Sequence, residues 1–329
     1  MKHLPLSALL LCLPLSLSAH TRWFAEKELL PLQTTEPTML YMGVWAFIIL
    51  IVLLLGIIFH QRNIFRLGFL RPKAPHAYER AASTFAMVTG SFLVIAGTHE
   101  YLFSPNLTHE AGIPFAMISI QIAIGIAFML GIATRTFSFV LMGLYLATFY
   151  FGGWLASLED IWILSTAAFI AVMGNDYFSI ISYSYFKEKL YPFKEYALSF
   201  LRLGTGATLV ILGFSEKLLA PEYGINFLSL HNWNFMQSLG FPFSDYLFVL
   251  SAGSVEVFFG LIFIFGVVTR LNALVVAIVF TIPLFLLGPI ELAGHIPHFA
   301  AIILLLLFGN GGHFLIFKKY PDAQVGKEE

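Results

Sequence analysis

Glu256 is an acidic residue near the middle of an apolar stretch, residues 245–267, that is long enough to cross a bilayer. A charged carboxylate in hydrocarbon costs several kcal/mol unless it is paired or protonated. Such a group is suited to carrying protons, because a partner or a bound ligand decides whether it is charged. We therefore predict a proton-exchanging role for Glu256, with a structural hydrogen bond to a neighbouring helix as the alternative.

Glu216 and Lys217 are neighbours near the end of another apolar stretch, residues 197–218. Adjacent side chains on an α-helix point about 100° apart, so we do not expect the two to address one partner together. Lys217 could extend its ammonium group to the lipid headgroups, or it could pair with Glu256 or with an anionic ligand. We predict Glu256, Lys217 and Glu216 as the candidate catalytic residues.

The segment that opens the last apolar stretch holds a carboxylate and two imidazoles, Glu291, His295 and His298. On a continuous helix they occupy positions i, i+4 and i+7 of one face, where they could bind a first-row metal. Gly294 interrupts this pattern, and Pro297 is typical of a first helical turn, so we expect the histidines to begin the last helix at the outer surface. The set is predicted to bind a ligand, with metal binding and simple helix capping as the alternatives.

Composition identifies the environment in which these residues work. Hydrophobic residues make up 58% of the chain and charged residues 11%, whereas about a quarter of a typical soluble domain is charged. The chain is therefore predicted to be a membrane protein. Its net charge of -1 excludes nucleic acid as a partner, because no basic face can be assembled. The single cysteine, Cys12, lies in a predicted export signal, so thiol chemistry is not expected in the mature chain.

Topology follows from the apolar stretches and from the positions of the basic residues. Residues 1–19 have the charged start, short apolar core and small-residue end of a signal peptide. Nine later stretches have spanning length: 40–59, 82–103, 113–132, 137–157, 161–179, 197–218, 245–267, 271–288 and 296–316. With a periplasmic mature N-terminus, most of the lysines and arginines and the C-terminus lie on the cytoplasmic side of a bacterial-type inner membrane.

Part of the chain is repeated. Residues Ser119, Gln121, Gly125, Gly131, Thr134 and Arg135 return 135 positions later as Ser254, Glu256, Gly260, Gly266, Thr269 and Arg270. An upstream motif, Gly97, Glu100, Leu102 and Pro105, returns after 116 positions as Gly213, Glu216, Leu218 and Pro221. Each copy would hold four spans, so both enter the membrane in the same direction, as parallel repeats do.

The two copies differ at the candidate site. Lys217, Glu256 and His295 correspond to Tyr101, Gln121 and Asp160, so the ionisable set is richest in the second copy. The second copy also has about 19 extra residues, which form an outer loop at 220–244. Its aromatic residues are expected at the lipid interface, or else as a lid over the site: Trp233, Phe235, Phe241 and Phe243.

These observations predict an all-α polytopic membrane protein with two parallel four-helix bundle repeats and one additional N-terminal transmembrane helix. The predicted segments are a signal peptide (1–19), a periplasmic segment (20–39), a transmembrane helix (40–60), a cytoplasmic linker (61–79), the first repeat (80–181), a second cytoplasmic linker (182–195), the second repeat (196–317) and a cytoplasmic tail (318–329).

The second copy resembles the DoxX family of small four-helix membrane proteins. The resemblance is carried by Arg202, by the run from Gly213 through Glu216-Lys217 to Pro221, and by Glu256 with the Gly260, Gly266 and Arg270 that follow it. It implies a membrane subunit linked to quinone or other redox chemistry, with quinone as the implied ligand. If the protein is an enzyme, it is then an oxidoreductase subunit without a redox centre of its own, which implies an electron-transferring or periplasmic protein partner.

Two other function classes stay open at this point. Parallel repeats and a carboxylate at mid-membrane are also typical of a proton-coupled transporter of a small molecule or metal. A bundle that only holds partner proteins, as a scaffold or assembly factor, would need none of the ionisable set. The substrate and the partner are not encoded in any motif of the chain.

Overall fold

The computed structural model describes residues 38–181, 184–287 and 289–316. Within these ranges the chain is helical and contains no strand. The predicted all-α polytopic fold is therefore confirmed. The predicted signal peptide, most of the periplasmic segment and the cytoplasmic tail lie outside the described residues.

The helices, in chain order, have the following bounds: α1 Thr38–Gln61, α2 Ala77–Thr98, α3 Phe115–Leu130, α4 Thr134–Phe151, α5 Trp154–Glu159, α6 Trp162–Met173, α7 Ser184–Leu190, α8 Ala197–Gly213, α9 Pro221–His231, α10 Phe235–Ser238, α11 Asp245–Phe265, α12 Thr269–Leu287 and α13 Pro289–Phe308. Short 3₁₀ turns occur at Gly68–Leu70 and Tyr191–Tyr196, and a π-helical turn at Phe214–Leu218 continues α8.

Each of the nine apolar stretches overlaps a long helix, and the stretch 137–157 covers both α4 and α5. Four helical segments are long and apolar enough to cross a membrane: Thr38–Gln61, Ala77–Thr98, Phe186–Leu218 and Asp245–Phe265. Other apolar helical segments, such as Phe115–Leu130 and Trp162–Met173, are shorter. The total of nine crossings stays a prediction.

Both halves of the chain contain the same close helix contact. In the first unit (α2 to α6), a Cβ placed on Gly125 would lie 2.6 Å from the Gly90 carbonyl oxygen. In the second unit (α8 to α13), a Cβ placed on Gly260 would lie 2.6 Å from the Gly206 carbonyl oxygen. These positions differ by the same 116 and 135 residues as the sequence motifs. The contact between α2 and α3 thus recurs between α8 and α11, because glycine at both sides lets the backbones touch.

The last helix of each unit packs closely against the first helix of the other unit. Helix α6 lies on α8, where Gly204 accommodates Ser165, and α13 lies on α2, where Tyr78 contacts Phe308 with ring centroids 4.9 Å apart. The two units therefore share one continuous apolar core.

Helix α1 packs on the second unit mainly along α11. The Thr38 hydroxyl lies 2.8 Å from the Tyr246 hydroxyl, and the Tyr41 hydroxyl lies 2.7 Å from the Ser251 hydroxyl. Gly56 is the one buried residue of α1. The rest of this apolar helix is suited to contact with lipid.

Three arginines hold the loops together at one end of the bundle, here called the basic end: the buried Arg135 and Arg202 and the half-buried Arg270. Arg135 forms a two-pronged ion pair with Asp176, with distances of 2.6 and 2.9 Å. Arg202 is fully buried and donates to carbonyl groups at the end of α11 and in the segment that follows α13. Its acceptors are the carbonyl oxygens of Asn310, Phe263, Ile264, His313 and Phe314. Helix C-termini carry partial negative charge, which compensates the guanidinium group.

Candidate functional site

The second unit encloses a cavity of about 720 Å³ that is lined mainly by apolar side chains. This volume is in the range of small-molecule sites. The cavity lies between α8, α11, α12 and α13 and is bordered by α9 and α10. Five sequence-predicted site residues line it together: Glu216, Lys217, Glu256, His295 and His298.

Lys217 and Glu256 form an ion pair at the cavity wall. The Lys217 Nζ donates to Glu256 Oε2 at 2.8 Å, and the two side chains are 18% and 21% exposed. Of the alternatives for Lys217, the structure therefore selects the pairing with Glu256. Gly253 permits this pairing, because a Cβ at that position would lie 2.7 Å from the Cβ of Lys217.

A π-helical turn places Glu216 beside Lys217 on the same cavity. The turn spans Phe214–Leu218, and the Leu219 N–H donates to the Phe214 carbonyl in an i→i+5 contact of 2.9 Å. We expected neighbouring side chains of an α-helix to diverge, but this wider turn lets both face the cavity. Single π turns are frequent at functional sites. Glu216 is nearly inaccessible, with 1% of its surface exposed.

His295 and His298 lie within α13 and form part of the cavity wall, with ring centroids 6.2 Å apart. The expectation that Pro297 begins the last helix is wrong: α13 begins at Pro289 and contains Pro297 in its interior. Gly294 and Pro297, which we expected to interrupt the helix or to begin it, both lie inside α13. The histidines project into the cavity rather than opening the helix.

The metal-binding alternative for Glu291, His295 and His298 stays a prediction. The Glu291 side chain lies outside the described part of the structure. Among the described residues, no group of three histidine, cysteine, aspartate or glutamate side chains is placed to hold a metal ion.

The corresponding position in the first unit is occupied by a satisfied amide. Gln121 is fully buried; its Oε1 accepts from the Phe103 N–H at 2.9 Å, and its Nε2 donates to the Leu93 and Tyr101 carbonyls at 3.0 and 3.2 Å. Tyr101, the counterpart of Lys217, is also buried. The corresponding positions therefore differ in structure as well as in residue type. Gln121 is a packed core residue of the first unit, whereas Glu256 belongs to an ion pair that lines the cavity of the second.

The first unit nevertheless contributes to the surroundings of the cavity. Asp160 is buried, accepts from Ser104 Oγ at 2.6 Å and from Trp162 Nε1 at 3.2 Å, and senses the charge of Glu216. The Trp162 ring lies 4.8 Å from the His298 ring. Burial, aided by the charges of Glu159 and Glu216, raises the pKa of Asp160 to about 7, against the lowering effect of its two hydrogen bonds.

The extra loop of the second unit covers part of the cavity. Helices α9 and α10, with the connection between them, supply Phe227, Trp233 and Phe235 to its lining. Asn234 anchors this segment by donating to the Phe243 carbonyl and to Asp245 Oδ1, both at 2.8 Å. Trp233 and Phe235 thus line the cavity, and their role as a lid stays a prediction.

The other aromatic residues of this loop have different surroundings. Phe241 is 54% exposed, and the Phe243 ring lies 6.4 Å from the Tyr41 ring of α1.

Sequence reasoning missed two hydroxyl groups of the cavity wall, those of Thr205 and Thr208 on α8. Each donates to its own helix, to the Leu201 and Gly204 carbonyls at 2.9 and 3.0 Å. Their oxygens retain acceptor capacity. The signal was two threonines three positions apart in the apolar part of α8 that follows Arg202.

The fold and the apolar helices define the class: this is a multi-pass helical membrane protein. Residues 197–288 match the DoxX family model, so the chain contains a DoxX domain in its second unit. The predicted resemblance is confirmed for this range, which holds Lys217 and Glu256 but ends before His295. The duplication of the domain stays a prediction. Comparisons with curated proteins and with solved structures gave no significant match.

Proposed function

We propose that this DoxX-type membrane protein binds a quinone in the cavity of its second unit and exchanges protons with it through Glu256. The observation that carries the proposal is the Lys217–Glu256 ion pair on the wall of a large apolar cavity. A quinone has the matching chemistry: an apolar ring and tail, and two carbonyl oxygens that accept hydrogen bonds.

The polar groups of the cavity match the steps of quinone reduction. A quinone becomes a quinol by taking up two electrons and two protons. The Lys217 ammonium can donate to a carbonyl oxygen as negative charge develops there, while Glu256 compensates the ammonium. Electrons come from an electron-transferring partner protein, which the proposal includes. This chain supplies the binding cavity and the proton-active side chains.

Two histidine side chains of the cavity can also take part in proton transfer. His295 and His298 line the same cavity as the ion pair, and histidine changes its charge near neutral pH. The proposal gives them the role of passing protons between Glu256 and the α9–α10 side of the cavity. That side is the predicted periplasmic face.

Quinone binding can be measured on the purified protein through its own tryptophans. Trp233 lines the cavity and Trp162 contacts His298, so a bound quinone is expected to quench their fluorescence. We expect wild type to bind a short-chain quinone in detergent and in lipid. Glu256→Gln removes the carboxylate that holds the Lys217 ammonium at the cavity wall, so it is expected to weaken binding roughly tenfold and to flatten its pH dependence.

Glu110→Gln is the matched control, since Glu110 is exposed and does not line the cavity. The proposal fails if wild type binds no quinone in either medium. Binding that survives Glu256→Gln with unchanged pH dependence would remove Glu256 from the mechanism. Substrate uptake into proteoliposomes without quinone binding would instead support the transporter.

A further inference from the structure

A second pocket, of about 80 Å³, lies at the basic end, far along the helices from the cavity. It is bounded by the end of α1, the segment that follows it and the beginning of α12. Its polar lining consists of His60, Asn63, Arg66, Thr269 and Arg270 with the nearby Asn310. None of the described residues that line it is acidic. The pocket therefore presents positive charge and hydrogen-bond donors.

Thr269 is the first residue of α12, a helix of 19 residues, and it is only 4% exposed. Its hydroxyl oxygen is buried without a hydrogen-bond partner among the described residues. A buried hydroxyl without a partner is costly, and it lines the pocket here. The first N–H groups of a helix also have no intrahelical acceptor, so helix N-termini are ready anion sites.

The first unit shows which kind of group binds the equivalent arginine. Arg135, which precedes Arg270 by 135 positions, is held in a two-pronged pair with the Asp176 carboxylate. At the same offset from Asp176, the second unit has Gly311, which has no side chain. Arg270 donates to the backbone carbonyls of Arg66 and Leu307, at 3.3 and 3.4 Å.

A negative charge is favoured at the carboxylate position of the first unit. Asp176 lies beyond the end of α6, where burial alone would raise its pKa. The hydrogen bond and charge of Arg135, with the charge of Lys187, outweigh burial and lower the pKa of Asp176 below its usual value.

We propose that the pocket between α1 and α12 binds a phosphate-bearing anion, with Arg270, Arg66 and the Thr269 hydroxyl as its donors. The volume exceeds the roughly 10–15 Å³ that a cavity needs to hold one water, and it leaves room for a tetrahedral oxyanion. The source is either an anionic lipid headgroup or free phosphate. Basic pockets between membrane helices are known to hold anionic headgroups.

The test uses the full chain in nanodiscs of phosphatidylcholine, to which phosphatidylglycerol or, separately, inorganic phosphate is added. The unfolding temperature is measured along each titration, with chloride at equal ionic strength as the reference. We expect phosphatidylglycerol to raise the unfolding temperature of wild type. The half-saturating fraction of this lipid should rise about tenfold in Arg270→Gln and roughly fivefold in Thr269→Val.

Two matched variants separate the pocket from general attraction between lipid and protein. Thr134→Val makes the same change at the corresponding residue of the first unit, and Arg62→Gln removes an exposed arginine near Arg66. Both are expected to respond to phosphatidylglycerol as wild type does. If Arg270→Gln yields no folded protein, Thr269→Val carries the test, because valine has nearly the same shape as threonine.

Protection by inorganic phosphate alone, lost in Thr269→Val, would identify a soluble phosphate as the ligand. Protection by phosphatidylglycerol alone would identify the headgroup. The proposal is overturned if neither addition protects wild type. It is equally overturned if Thr134→Val and Thr269→Val lose the response to the same extent.

Discussion

At the scale of single residues, two carboxyl groups near the cavity have different partners. Glu256 has a lysine ammonium at 2.8 Å, whereas Asp160 is held by a hydroxyl and an indole N–H. A buried carboxyl without a cationic partner favours its protonated form. The boundary between the units therefore holds an acid that titrates near neutral pH.

Asp160→Asn is expected to remove a pH dependence of stability. The pKa of Asp160 in the folded protein is about 7, above its ordinary value, so the folded state binds more protons than the unfolded state between these values. The free energy of unfolding of wild type should then fall as the pH rises from about 4 to 7, by up to about 4 kcal/mol, and level off above. Denaturant unfolding in detergent at several pH values measures this.

In that experiment the Asp160→Asn variant should show a flatter profile over the same pH range, and Glu110→Gln should follow wild type. Parallel profiles for wild type and Asp160→Asn would contradict the assignment.

Residue types alone indicate much of the cavity wall. Lys217, Glu256 and His295 stand out in the sequence because ionisable groups are costly in apolar stretches and because the first copy replaces them. Thr205 and Thr208 do not stand out in the sequence, because threonine also occurs in membrane helices for packing alone. The approach of Asp160 and Trp162 from the other unit depends on tertiary packing, which no local pattern encodes.

At the scale of elements, local backbone geometry decides which side chains meet. The π turn at Phe214–Leu218 brings Glu216 and Lys217 to one surface, and an i→i+5 contact has no signature in the periodicity of apolar residues. The same limit explains Pro297, which we placed at a helix start. Its helix instead continues through it, because neighbouring helices and side chains can stabilise a proline inside a membrane bundle.

Arg202→Lys is expected to destabilise the second unit by at least about 2–3 kcal/mol. Arginine donates here to five backbone carbonyls, at the end of α11 and in the segment after α13, and a lysine ammonium has only three donors in a different arrangement. Unfolding in mixed detergent and denaturant measures the change.

Arg62→Lys is the control for this substitution, since Arg62 is exposed and should tolerate the exchange. Equal stability of wild type and Arg202→Lys would show that the carbonyl contacts contribute little.

At the scale of the whole molecule, each unit packs its last helix against the first helix of the other unit. Helix α6 of the first unit packs on α8, and α13 of the second packs on α2. The repeated motifs agree with the recurrence of the Gly90–Gly125 contact at Gly206–Gly260, which has the same offsets along the chain. They did not predict that the last helix of each unit packs on the other unit, because this packing depends on how the two units dock.

Orientation in the membrane can be tested with reporters. The basic residues gather at one end of the bundle, and short loops rich in lysine and arginine stay in the cytoplasm. A reporter fused after Gly326 is therefore expected to read as cytoplasmic. One inserted at Glu110, in the loop between α2 and α3, should read as periplasmic. A periplasmic signal at Gly326 would reverse the assignment.

The docking of α1 on α11 has a consequence for how the protein is made. Its contacts join residues 208 and 210 positions apart, such as Thr38 with Tyr246 and Tyr41 with Ser251. At a synthesis rate of about 5–20 residues per second, α1 emerges roughly 10–40 s before its partner helix exists. During that interval α1 must stay in the bilayer without its partner helix. Its surface is mostly apolar and Gly56 is its one buried residue, so lipid can surround α1 until α11 has been inserted.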